Sequence, residues 1–185
     1  MYDTLPGGAG FVLRIGELRL GVYQKALEIL QHCPEDCDRS CYRCLRSYKN
    51  KFEHELLDRH IGASLLEYLI NGTLPGLNPE RMNKSTDMLY EDLFTRNITG
   101  INIERNKTIK ISGYGEISAP IYSESVKGSK FIIGIHNPLT PDTPDDEDLL
   151  YAIEFCPSIP VILVDELVVR RYLPQATSSV IDRIS

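Results

Sequence analysis

At 185 residues the chain has room for one medium domain or two small ones, and 42% apolar residues can build a core. Its formal charge of −6 argues against a general nucleic-acid binder, whose surface is broadly basic, but leaves room for a local basic patch. No apolar run reaches the roughly 18 residues of a membrane span, so no membrane partner is expected.

The opening "MYDTLPGGAG" lacks the basic and apolar regions of a secretory signal. A cytoplasmic protein with reduced thiols is therefore the expectation. Pro6 and Gly7, Gly8 and Gly10 make this entry turn-rich. A helix is expected from about Glu17 to His32, with Val22, Ala26, Ile29 and Leu30 at helical spacing and Pro34 ending it. A second helix is expected from about Lys51 to Ile70, with Phe52, Leu56, His60 and Ala63 on one stripe and Asn71-Gly72 as its stop. "NGTLPGLNPE" (71–80) is the candidate boundary.

Beyond it the texture changes. A short helix near Thr86–Arg96, capped by Ser85 or Thr86, precedes strand-like stretches around Ile101–Ile111, "APIYSESV", "KFIIGI" and "IPVILVD". The acids of "TPDTPDDED" suit a helix start, and "DELVVRRYL" reads as a last short helix. The fold class is α+β: a helical, metal-stapled domain over 1–75, then a small mixed α/β unit over 81–185.

Four of the five cysteines fall in "CPEDCDRSCYRC", as Cys33, Cys37, Cys41 and Cys44. The gaps let four thiolates turn to one centre and complete a tetrahedral shell at about 2.3 Å from zinc. No large apolar residue anchors the segment before Leu45, so burial cannot order it. A structural Zn²⁺ can, since such binding contributes roughly 10–16 kcal/mol. Two disulfides and an iron–sulfur cluster are the alternatives. The spacing Cys37-x3-Cys41-x2-Cys44 is that of radical S-adenosylmethionine enzymes, but Cys33 adds a fourth sulfur and residue 43 is Arg. A closed four-sulfur shell has no open position, so the metal staples rather than catalyses.

Arg39, Arg43, Arg46, Lys49 and Lys51 surround the cluster, with Tyr42 and Tyr48 between them and no acid from 39 to 51. One reading is charge compensation for the thiolates. The other is a phosphate-contacting, nucleic-acid-binding patch with stacking tyrosines, as on single-strand binders. "PGGAG" lacks the Gly-Lys-Ser/Thr of a nucleotide loop and reads as a structural turn, while Asp3 is either a cap or a functional carboxylate. His32, His54 and His60 read as packing or surface residues because four sulfurs fill the shell. Asp165 and Glu166 at the end of a strand, and His136 after another, define a weaker, nuclease-like alternative within residues 100–170.

"YDTLPGGAGF", the quartet ending "CYRCLRSYKN" and "HELLDRHIGASLLEYL" together resemble the Mrf-type zinc-binding domain, over residues 2 to about 70. That family occurs at the C-terminus of mitomycin-repair helicases and in DrmB-like proteins of DISARM phage defence. The resemblance implies zinc on Cys33, Cys37, Cys41 and Cys44. It also implies a helicase or ATPase subunit as partner, in DNA repair or defence. No helicase motif is present, so the chain is not expected to act as an ATPase by itself. Three readings follow: a non-catalytic accessory module that binds DNA or docks a helicase subunit, a nuclease-like enzyme, and a pure protein-docking module.

Overall fold

The computed structural model describes residues 10–111 and 115–185. The "PGGAG" turn, apart from Gly10, and Asp3 lie outside the described residues. The chain divides into two compact units, residues 1–75 and 76–185.

The first unit is helical. Helices α1 (Phe11–Leu18) and α2 (Leu20–Gln31) replace the single expected helix from Glu17 to His32. Arg19 takes φ 48° between them, which interrupts the helical path. The second expected helix is also shorter. Residues Tyr48–Glu53 form a 3₁₀ helix, and α3 spans only Arg59–Asn71. Asp58 is the reason: it sits in extended backbone and its Oδ1 accepts from His60 N and Ile61 N, at 3.0 and 3.3 Å. An N-cap of that kind starts a new helix. At the other end Gly72 takes φ 79° and closes α3, as expected from Asn71-Gly72. Helices α2 and α3 pack closely at Gly62, where an added Cβ would lie 3.0 Å from Leu30 Cδ1.

The second unit places helix α4 (Pro79–Thr95) before a four-stranded sheet, β1 (Ile101–Ile111), β2 (Gly115–Ser125), β3 (Lys130–His136) and β4 (Val161–Asp165). The strand order is β1-β2-β3-β4. The first two pairings are antiparallel, and β3 with β4 is parallel. Helix α5 (Glu147–Phe155) makes the crossover a parallel pair requires. Helices α6 (Glu166–Arg171) and α7 (Leu173–Ile184) complete the unit. The architecture is α+β, as the sequence pattern implies.

Both faces of the sheet are covered. Ile121, Ile133, Ile135, Ile162 and Val164 pack with Leu89 and Leu93 of α4, Val169 of α6, and Ala176 and Val180 of α7. On the other face Ile132, Ile117 and Ala119 pack with Leu149 and Ala152 of α5. Burying each Ile fully is worth about 1.5–3 kcal/mol, and Ile121, Ile132 and Ile133 are completely buried. Gly134 of β3 is required by this packing: a Cβ there would lie 2.3 Å from Leu149 Cδ1.

Helix α4 starts at Pro79, seven residues before the expected Thr86, because Asn78 caps it through Arg81 N at 3.0 Å and Pro79 fits its first turn. Ser85 and Thr86, expected as caps, are buried inside the helix instead. Helix α7 was not expected from the sequence. Asp165 caps α6, and Asp146 caps α5.

Candidate metal centre and neighbouring basic surface

The cysteine segment follows the C-terminus of α2. Asp36 N donates to Cys33 O at 2.9 Å, a tight turn in which Asp36 takes φ 39°. Cys44 N, Leu45 N and Arg46 N all point at Cys41 O, at 3.2, 3.1 and 2.9 Å. These two turns bring all four sulfurs within 4.8 Å of one another. The separations are 3.7 Å for Cys33–Cys37, 3.5 Å for Cys33–Cys41, 3.6 Å for Cys37–Cys44 and 3.8 Å for Cys41–Cys44.

Those values test the ligand. A tetrahedron of sulfurs at 2.3 Å from one zinc has an edge of about 3.8 Å. A disulfide places its sulfurs at about 2.05 Å, far closer than any pair here. An iron–sulfur cluster sets several ions between its thiolates and needs them further apart. The donor set fits a single zinc. Among the described residues no His, Asp or Glu joins the four sulfurs in a metal-binding group.

Without an ion the thiols of Cys33, Cys37 and Cys41 compete for charge. Burial, then hydrogen bonds with the sulfurs of Cys44, Cys33 and Cys41 that favour its protonated form, push the Cys37 thiol far up. Burial also raises Cys41, against the donor Arg43 N. Burial acts upward on Cys33 too, but the backbone N–H groups of Cys37 and Glu35 and the neighbouring thiols bring it down to about 7. A divalent ion removes this competition by holding all four as thiolates.

The surroundings support the sulfurs. Cys41 N donates to Cys44 Sγ at 3.2 Å and Arg43 N to Cys41 Sγ at 3.3 Å. Arg59, buried on α3, is the main brace. It donates to Cys37 O at 2.6 Å, Leu30 O at 3.0 Å, Gln31 O at 3.4 Å and Asp36 Oδ1 at 2.7 Å. One guanidinium therefore ties the end of α2, the cysteine loop and α3 together.

The expected basic patch divides in two. Arg39 and Arg46 face the protein: Arg39 donates to the Glu55 carbonyl, and Arg46 Nε donates to buried Ser40 at 2.9 Å. Arg43, Lys49 and Lys51 are exposed, with Glu35 3.9 Å from Arg43. Tyr42 is exposed and meets His54 edge-on at 5.4 Å. Tyr48 is exposed, and so is Phe52, which sequence reasoning assigned to an apolar helix stripe. The signal that could have found it is Asp58: a helix starting there leaves Phe52 outside.

The alternative acids occupy structural positions. Asp165 Oδ1 accepts from Leu167 N at 2.7 Å. Glu166 is fully buried; its Oε1 accepts from Arg81 Nε and Ser85 Oγ, both at 2.9 Å, and its Oε2 from Arg81 Nη2 at 3.0 Å. His136 is buried with Nδ1 2.9 Å from Asn137 O. Strand pairing puts His136 opposite Asp165, but Asp165 caps α6 and Glu166 is held in ion pairs.

No helix among the described residues is long and apolar enough to cross a membrane. No solved structure matches the chain. A curated relative, the Druantia protein DruE of Escherichia coli (strain UMEA 4076-1), is 30% identical over 142 residues. That alignment covers 70% of this chain and 8% of the relative, so the chain spans under a tenth of that protein's length. Residues 1–45 match the model of the MrfA Zn-binding domain family. The four cysteines lie inside the matched segment, while Asp58 and Arg59 lie beyond it. Over residues 1–45, then, the chain matches the zinc-binding family that its cysteine segment resembles, and four sulfurs at tetrahedral spacing support structural zinc there.

Proposed function

We propose that the chain is a non-catalytic, zinc-binding accessory module of a helicase-associated system in the cytoplasm, acting in phage defence or DNA repair. Cys33, Cys37, Cys41 and Cys44 hold one zinc that shapes the loop and the turn after it. The observation that carries this reading is the sulfur spacing of 3.5–3.8 Å. The likeness to a Druantia protein favours the defence setting. DNA binding is assigned to Arg43, Lys49, Lys51, Tyr42 and Tyr48, with Arg39 and Arg46 bracing the surface from beneath. Charge reversal of Arg43, Lys49 and Lys51 to Glu tests it. Binding to a labelled oligonucleotide is lost and its salt dependence flattens, while zinc content and helicity stay unchanged. Undiminished binding refutes the assignment.

Docking to a helicase or ATPase subunit is favoured by a separate observation. Leu13, Leu18 and Leu20 on α1 and α2, and Leu65 and Leu69 on α3, are exposed. Exposed large aliphatics in such numbers suit a protein interface. Co-purification with a neighbouring helicase, surviving nuclease and lost on Leu65→Glu with Leu69→Glu, tests it. A nuclease-like role is disfavoured by the capping of α6 by Asp165 and the ion pairs of Glu166.

A further inference from the structure

Two aromatic rings on the 3₁₀ helix stand in solvent beside one cation. Tyr48 and Phe52 are 78% and 85% exposed. Lys51 Nζ lies 4.9 Å from the centroid of each ring. Among the described residues neither Lys49 nor Lys51 has an acidic side chain within ion-pair distance. The backbone beneath the rings is pinned. Ser47 N donates to Asn50 Oδ1 at 2.7 Å, Asn50 Nδ2 donates to Leu45 O at 2.9 Å, and His54 Nε2 lies 3.0 Å from Ser47 O. Leu45 O is one residue from Cys44, so the metal loop fixes where the rings stand.

We propose that Tyr48, Phe52 and Lys51 form a stacking platform for single-stranded nucleic acid. The proposal rests on the DNA-binding reading above and adds the strand state and the side chains that select it. Aromatic faces bind bases only where bases are unstacked, and a duplex hides those faces between neighbours. Reading a duplex groove takes a helix or a β-ribbon of some length, and this element is a six-residue 3₁₀ turn. A lysine at the centre of the patch argues against a protein occupant, because interface cores are depleted in lysine. A phosphodiester beside each stacked base is the natural counter-charge for Lys49 and Lys51.

The test uses the zinc-loaded full chain, a labelled 12-nucleotide oligodeoxythymidylate and a duplex of equal length. The expected result is preference for the single strand. Tyr48→Ala and Phe52→Ala each weaken single-strand binding about tenfold with little change in salt slope, and Phe52→Tyr restores it. Lys49→Gln instead lowers the salt slope by about 0.7. The chain has no Trp, so Tyr48→Trp supplies a single reporter whose emission is quenched when a base stacks on it. Equal affinity for duplex and single strand, with neither Ala variant weakened, overturns the platform but leaves the basic-patch reading standing. No binding to either probe overturns both. Undiminished Trp emission at saturating oligonucleotide also overturns the platform.

Discussion

Removing the metal should unfold the first unit and spare the second. Ordering the twelve residues from Cys33 to Cys44 costs on the order of 10–20 kcal/mol of backbone entropy. Only one apolar side chain in that stretch, Cys33, is buried, and Leu30 and Ala63 are the other buried apolar residues of the unit among those described. Burial of that size returns a few kcal/mol at most. Zinc binding of roughly 10–16 kcal/mol closes the gap. Helices α1, α2 and α3 hold 8, 12 and 13 residues, against 17, 9, 6 and 12 in α4, α5, α6 and α7. Stripping zinc with a strong chelator should therefore remove somewhat under half of the helical circular dichroism. Calorimetry should retain one transition, from the sheet unit, and re-addition of zinc should restore the rest. A chelated sample proven metal-free by elemental analysis, yet with full ellipticity and an unchanged melting curve, would refute the reasoning.

Arg59→Met leaves four acceptors around the loop without their donor; zinc retention against a chromophoric chelator should weaken about 10- to 100-fold. Glu166→Gln removes the buried carboxylate that both Arg81 and Arg170 approach and should destabilise the second unit by about 3–5 kcal/mol in urea titration. Gly134→Ala drives a methyl into Leu149 and should cost about 1–3 kcal/mol by the same assay. Asn78→Ala removes the cap of α4 and should cost about 1 kcal/mol.

The parts of this molecule legible in the sequence are those whose signal is local. Four cysteines at short gaps announce their site because the ligand chemistry depends on spacing alone. The strands of the second unit show as apolar runs because both sheet faces are covered, and the acids before α5 mark its start. Helix boundaries were less legible because they depend on which of several polar residues takes the cap. Asn78-Pro79-Glu80 is a strong start signal, but it sits inside a Gly/Pro punctuator and reads as boundary. Asp58 is flanked by helix-compatible residues, so the stripe through Phe52 and Leu56 runs past it undetected. The role of Arg59 could not be read at all. Its four acceptors include carbonyls of Leu30 and Gln31, far away in sequence, and Asp36, brought near only after the cysteine loop closes. Glu166 is a partial case in the second unit: Arg170, four residues on, is a local partner, but Arg81 and Ser85 belong to a helix distant in sequence, so most of its pairing is hidden.

The metal also explains an imbalance between the units. Among the described residues, 12 of the 18 exposed large hydrophobic side chains lie in the first unit, although it is the smaller. A domain of that size that folds by burial has to take those side chains inward, because small domains have little apolar surface to spare. Metal ligation lifts the constraint: four sulfurs and one buried arginine set the loop, and Tyr48, Phe52 and the leucines of α1 and α3 stay outside. Replacing the zinc site with an apolar core would draw on those same residues and so remove the surface proposed to bind. Stability and binding are thus assigned to different atoms. That separation is why exposed-ring variants should lose ligand without losing fold, whereas a Cys37→Ser variant should lose both.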